Sequence, residues 1–285
     1  MYPKQLQWFY NSIDAIFSIF RLLWRTRFKK TKKIETTHPK CLILGNGPSL
    51  TSALENSKDV IGNYDLIAIN FMGTTPLFSE LKPSVYILCD PAFWFDVADE
   101  TQKKKVSDFY LHLSDTITWK VQLYLPWQAS KQKNIAQTLS KNQNIELCYY
   151  NKTNFEGFRF LKKCVYRKQL GMPRAQNVLI AALMLAIYSS YDEIYLAGSE
   201  NDWLKNLWVD DLNRLRINDI HFYDQKEASE KARVMQLDLI TMLAYLYYMF
   251  KGYKEIRAFA DTTKSKIYNS TPETFIDAFE RKPLS

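Results

Sequence analysis

Glycine is scarce in this chain, eight of 285 residues, so each one marks a place where the backbone needs freedom that nothing nearby supplies. Cysteine is scarcer. Cys41, Cys89, Cys148 and Cys164 are widely spaced, with no Cys-x-x-Cys pair and no cysteine–histidine cluster, which excludes zinc-ribbon and dithiol frameworks. The first three lie in apolar runs, the usual setting of a buried free thiol. There is no glycine loop ending in Gly-Lys-Ser/Thr and no Gly-x-Gly-x-x-Gly, so neither the P-loop nor the dinucleotide fingerprint is present. No apolar run of about 18 residues is free of charge, which argues against a membrane-spanning helix. A short apolar core followed by a small-residue cleavage site is also lacking, and a reduced, cytoplasmic setting is the expectation.

What is present is unevenly spread. The formal net charge is +8, yet residues 1–33 hold eight basic side chains against one acid, Asp14. The basic character therefore belongs to the N-terminus, which argues against a nucleic-acid binder. At helical spacing Phe9, Ile13, Ile16, Phe17, Phe20, Leu23 and Trp24 fall on one stripe, and the basic cluster from Arg21 to Lys33 adjoins it. Two readings suit such a segment. It lies on an anionic membrane surface through residues 5–33, or it docks on the domain or on a second subunit, giving a homo-oligomer. The cations favour the membrane, since docking on protein alone has no need of them.

From Cys41 onward, short apolar runs alternate with helical stretches. The expected strands are 41–44, 66–70, 85–89, 121–125, 145–149, 193–197 and 255–259, with long helices over 176–190 and 227–250. Ala181–Ile187 is apolar all round, which predicts a buried helix. Lys266–Tyr268 reads as a further strand, followed by a short helix capped by Thr271 with Pro272 in its first turn. Asp210-Asp211 reads as a solvated helix start. The alternation predicts an α/β fold, a Rossmann-like and mostly parallel sheet with helices on both faces. The organisation expected is a basic amphipathic helix and tether over 1–35 and one α/β domain over 36–285, with a possible lid within 91–175.

In such sheets ligands bind beyond the carboxyl ends of the strands. One strand end stands out: Cys41-Leu-Ile-Leu leads into Gly45-Asn46-Gly47-Pro48-Ser49-Leu50. Two glycines permit close approach of a ligand, and free N–H groups at a helix start favour phosphate. Asn46 offers both a donor and an acceptor, and Ser49 is placed to cap the helix.

This loop resembles the opening of the bacterial lipooligosaccharide sialyltransferases, glycosyltransferase family 42, and of a related family with 6-hydroxymethylpterin pyrophosphokinase-like members. Further matches follow in order. Ala68-Ile-Asn70 resembles that family's second strand, and Val85–Pro91 resembles its strand ending in Asn-Pro, with Asp90 replacing the asparagine. Ala181–Gly198 resembles its apolar helix and the strand after it. The resemblance implies a loop that holds a CMP-sugar, with Gly45, Asn46, Gly47, Pro48, Ser49, Asn70, Asp90, Gly198, Glu200 and Asn201 at the donor. Asn269 and Ser270 correspond to a segment that borders the nucleotide pocket. There are departures. Where the family carries an acid and tyrosines, this chain has Ser199-Glu200-Asn201-Asp202-Trp203, and the nearest downstream tyrosine is Tyr223.

The resemblance also implies a histidine base. Of His38, His112 and His221, the last follows the Gly198 region, and Asp219 or Asp224 stands near enough to orient it. An imidazole suits removal of a hydroxyl proton because its ordinary pKa is about 6.5. Asp-x-Asp, the metal clasp of many nucleotide-sugar enzymes, occurs nowhere. The expected chemistry is inverting and needs no metal or cofactor, with Arg174, Tyr223 and loop N–H groups supporting the CMP leaving group. The whole reads as a bacterial glycosyltransferase, peripheral on the inner face of the cytoplasmic membrane. It would transfer a sialic acid-like or Kdo-like sugar from CMP to a surface glycolipid or glycan acceptor. The alternatives are a pterin pyrophosphokinase-like diphosphotransferase and a non-catalytic nucleotide-binding module at the membrane.

Overall fold

The short apolar runs form strands: β1 (Lys40–Leu44), β2 (Asp65–Ile69), β3 (Val85–Ile87), β4 (Val121–Pro126), β5 (Ile145–Tyr150), β6 (Glu193–Ala197), β7 (Leu207–Val209), β8 (Leu215–Ile217), β9 (Arg233–Val234), β10 (Lys266–Asn269) and β11 (Glu280–Arg281). In this computed structural model, which describes residues 4–94, 100–218, 222 and 232–285, eight of them make one parallel sheet. Its order is β11-β10-β6-β1-β2-β3-β4-β5. A strand covered on both faces needs near-continuous apolar sequence, and Cys41–Leu44 supplies it. Alternate residues enter opposite cores, Cys41 and Ile43 on one face, Leu42 and Leu44 on the other.

The helices are α1 (Lys4–Arg25), α2 (Leu50–Glu55), α3 (Lys58–Ile61), α4 (Pro76–Leu81), α5 (Glu100–Thr116), α6 (Lys133–Leu139), α7 (Arg159–Arg167), α8 (Val178–Tyr188) and α9 (Leu239–Ala260). Helices α7, α8 and α9 cover one face of the sheet, and α2, α4, α5 and α6 cover the other. The fold is the Rossmann-like α/β arrangement that the alternation predicts. All eleven residues of α8 are buried, as an all-round apolar helix must be.

Three local expectations are corrected. Residues 255–259 are not a strand but the last turns of α9. Its buried residues Met242, Leu246, Met249, Tyr253, Ile256 and Ala260 recur every three to four positions, and a five-residue window hides that period. Residues 271–279 form no helix, because the Thr271 hydroxyl accepts from the Ser199 N–H rather than capping its own segment. Asp210 opens no helix either. It sits at the β7–β8 hairpin, where its carboxylate accepts from the Leu212 and Arg214 amides and from both guanidinium groups of Arg214 and Arg216. The stretch 91–175 contributes β4 and the edge strand β5 to the central sheet, and β7-β8-β9 form a separate antiparallel sheet. The expected start of the second long helix, at 227, lies outside the described residues.

Helix α1 docks on the domain by its narrow side. Ala15, Ser18 and Leu22 are buried, the Ser18 hydroxyl accepts from the Glu156 N–H at 2.9 Å, and Ala15 abuts Gly157, where any side chain would collide with it at 2.8 Å. The expected stripe faces outward, with Phe9, Ile16, Phe17, Phe20, Leu23 and Trp24 all exposed. No helix among the described residues is long and apolar enough to cross a membrane.

Beside this junction Glu156 meets Lys251 at 2.7 Å and Lys162 at 3.2 Å. Burial alone raises its carboxyl pKa, but the two ammonium groups outweigh that and leave it below the ordinary value. A carboxyl lowered in the folded state stabilises above its unfolded pKa of about 4.3 and loses that contribution as pH falls through the folded value. Urea midpoints should therefore drop on acidification below about pH 4, and Glu156→Gln should show a smaller drop than the parent.

Candidate functional site

Strand β1 is where the chain's direction of growth reverses: β2 to β5 extend to one side of it, and β6, β10 and β11 to the other. A crevice opens beyond the carboxyl ends at such a switch point. The loops after β1 and β6 meet there and are tied together. The Gly45 N–H donates to the Ala197 carbonyl and the Gly47 N–H to the Gly198 carbonyl, both at 2.8 Å. Gly198 has φ +62, which glycine adopts without strain. The Ser49 N–H donates to Glu200 Oε1 at 2.9 Å.

These bonds correct the expectation of a bare-amide phosphate cradle. The N–H groups of Gly45, Gly47 and Ser49 are all taken, and the protein's own carboxylate lies where the phosphate was expected. A Cβ on Gly47 would fall 1.5 Å from Glu200 Oε2, so glycine here makes room for Glu200 rather than for a ligand. Ser49 makes no side-chain cap bond to α2.

A cavity of about 710 Å³ lies over this floor, a volume ordinary for a small-molecule site. It brings together Gly45, Asn46, Gly47, Pro48, Asn70, Asp90, Gly198, Glu200 and Asn201, all named from the sequence. Ser49 is not in its lining. Four buried polar atoms of these residues have no hydrogen-bond partner among the described residues: Asn46 Oδ1, Asn70 Oδ1, Glu200 Oε2 and Asn201 Nδ2. Leaving such groups unmet costs about 1–3 kcal/mol each, so four of them in residues that line one cavity point to a polar ligand.

Their neighbours hold them rigidly. Asn70 and Asn201 take left-handed backbone, φ 47 and 49, which asparagine tolerates better than most residues. The Tyr86 hydroxyl donates to the Asn70 carbonyl. Asn177 caps α8, accepting from the Ile180 N–H, and donates to the Tyr253 hydroxyl at 2.6 Å. Tyr253 in turn donates to Asn201 Oδ1. Burial pushes the Tyr253 phenol up, so it stays a neutral donor in this chain of bonds.

Several expected residues lie elsewhere. Asn269 is fully buried and accepts from the Thr271 N–H, while the Ser270 hydroxyl donates to the Lys282 carbonyl. Their segment supports the site from behind: the Thr274 hydroxyl donates to the Ser199 carbonyl at 2.8 Å. The Arg174 guanidinium stacks on the Tyr248 ring at 4.3 Å and lines a different cavity. His221 and Tyr223, with Asp219 and Asp224, lie outside the described residues.

Sequence reasoning missed Phe71, Lys152, Gln176, Asn177 and Arg233, which also line the cavity. Lys152 follows the end of β5, so the strand-end rule would have found it. Its ammonium donates to the Cys89 carbonyl at 2.8 Å and lies over the Trp94 ring. Cys89 is itself in the lining, but burial pushes its thiol up and keeps it protonated.

The sequence matches no protein-family model, that of the sialyltransferases included, and no curated protein. Among solved structures, the fold is similar to that of the MAf glycosyltransferase from Magnetospirillum magneticum AMB-1, with 9% identity and a TM-score of 0.48. The match covers 94% of this chain and 38% of that one. At that level the likeness concerns the general α/β architecture and bears on neither substrate nor chemistry.

Proposed function

We propose that the cavity binds a nucleotide-activated sugar and that the protein is a glycosyltransferase, with a CMP-linked acidic sugar as the first donor class to test. The observation that carries this reading is the set of unmet polar atoms. Three are acceptors, Asn46 Oδ1, Asn70 Oδ1 and Glu200 Oε2, and acceptors without donors suit the hydroxyls of a ribose or a sugar. Cationic support for a phosphate would come from Lys152 and Arg233 in the wall, not from the loop amides. A single phosphate needs only a few such donors.

In an inverting transfer the acceptor oxygen attacks the anomeric carbon, and the bond from that carbon to the phosphate oxygen breaks. The electron pair leaves on CMP, and a base removes the hydroxyl proton. His221 is the residue proposed for the base. Helix α1 would hold the enzyme at the inner face of a bacterial membrane, where a glycolipid acceptor lies in reach at high effective concentration.

Calorimetry against CMP, CDP, UDP, GDP and ATP, with and without Mg²⁺, tests the reading. At a hundred times its Kd, a true ligand should stabilise the fold by about 2.7 kcal/mol, and Asn46→Ala should weaken its binding about tenfold. Transfer should persist in EDTA. Silence from every nucleotide would end the proposal, and a strict preference for ATP with Mg²⁺ would turn it toward a diphosphotransferase.

A further inference from the structure

A second cavity, of about 610 Å³, lies between the end of α1 and the loops that follow β4 and β5. We propose that it takes the phosphate-bearing headgroup of an anionic lipid, presented at a bilayer in which the outer face of α1 rests. As the acceptor subsite of the transfer, it rests on the reading of the first cavity as a donor site.

The charge of the wall comes first. Arg21, Arg25, Lys131, Lys152 and Arg174 line this cavity, and no Asp or Glu does among the described residues. The first cavity differs, with the carboxylates of Asp90, Glu200 and Asp202 in its wall. Outside residues 1–33 the chain is nearly neutral, so a wall of five cations with no carboxylate among its described residues is a local feature selective for anions. Two of the five come from α1 and three from the domain, so docking of the helix completes the site.

The surroundings decide what kind of anion. Trp24, Trp94 and Trp127 share the wall, and tryptophan is the side chain most at home where apolar and wet regions meet. Trp24 is 92% exposed, and Phe17, Phe20 and Leu23 beside it are each 64–66% exposed. A soluble monomer seldom shows such a patch without an occupant. Because Ala15, Ser18 and Leu22 already fix the helix to the domain, the apolar face is held outward with the cationic cavity at its edge. Apolar contact and anion binding side by side describe a lipid with a phosphorylated head.

The two cavities are neighbours. Lys152, Ala175 and Gln176 line both, so a headgroup in the second stands beside a ligand in the first, as transfer between them requires.

The test uses the full chain without nucleotide, so its outcome is separate from that of the donor screen. Flotation is measured with phosphatidylcholine vesicles, with and without phosphatidylglycerol. The parent should bind the anionic vesicles at least about tenfold more tightly. Arg21→Gln with Lys131→Gln should remove most of that preference, whereas Lys29→Gln with Lys30→Gln, an equal loss of charge outside the cavity, should remove much less. Far-ultraviolet circular dichroism confirms that both pairs fold. Equal losses from the two pairs would mean diffuse attraction and would overturn the site, as would failure of the parent to float with either vesicle. Tryptophan fluorescence titrated with glycerol phosphate separates the sources: a full response to the soluble ester, with nothing added by vesicles, would overturn the lipid assignment.

Discussion

Gly45→Ala should cost about 3 kcal/mol of folding stability and abolish stabilisation by any nucleotide. A Cβ at this position would lie 2.1 Å from the Gly198 carbonyl oxygen and 2.6 Å from Ser199 Oγ. The oxygen belongs to a backbone already clamped by the Gly47 N–H, so no side chain can swing aside. Relief requires the β1 and β6 loops to part, which breaks the bonds at Gly45 and Gly47 and spreads the cavity floor. Gly47→Ala should behave differently. Its new methyl group would lie 1.5 Å from Glu200 Oε2, which can rotate away, and 2.8 Å from the Gly198 carbonyl oxygen, where the backbone has to give by a few tenths of an ångström, at a stability cost of about 1–3 kcal/mol. That rotation strips the Ser49 N–H of its acceptor and removes Glu200 Oε2 from the floor, so binding should be lost while the fold survives. Gly62→Ala is the control: nothing lies within 4 Å of its added methyl and φ is −62, so a gain of about 0.5 kcal/mol is expected. Urea melts and thermal shifts with and without nucleotide read all three. A Gly45 variant that melts like the parent would mean the two loops are not locked.

Much of the fold was legible because it rests on local patterns. β1 and α8 are apolar on every side, and a parallel strand or a buried helix has to be so. The misreading of 255–259 shows the limit: a short apolar run in a long helix carries no sign of its period until the residues from Met242 onward are counted with it. The position of the site was legible for a topological reason. Asn46, Asn70, Asp90 and Glu200 each follow a strand, and parallel strands deliver all their carboxyl ends to one edge. Its chemistry was less so. Whether an amide at Gly47 or Ser49 is free depends on the Gly198 carbonyl and the Glu200 carboxylate, and the Ser49–Glu200 contact spans 151 residues. Arg174 and Gln176 are two positions apart, yet only Gln176 reaches the first cavity, because the Tyr248 ring holds the guanidinium aside. Side-chain competition of that kind has no signature in spacing.

Asp65→Ala should be the most damaging substitution outside the cavities, at about 3–5 kcal/mol. The residue opens β2 and is 4% exposed. One carboxylate oxygen accepts from the Thr37 N–H at 2.8 Å, the Tyr191 hydroxyl at 2.8 Å and the His38 N–H at 3.3 Å. The other lies 2.9 Å from His38 Nδ1, which must carry the proton there. Burial pushes the Tyr191 phenol up, so that hydroxyl remains a neutral donor and would be stranded in the core without its acceptor. The four donors include two consecutive residues of the tether, so this carboxylate holds the tether where the chain passes from α1 into β1. Its loss should expose residues 34–39 to protease well before the domain unfolds. Tyr191→Phe should cost only about 1–2 kcal/mol, one bond rather than four. The double variant should cost clearly less than the sum of the singles, because the stranded phenol is absent from it. A strictly additive result would mean that the phenol finds another acceptor when the carboxylate is gone.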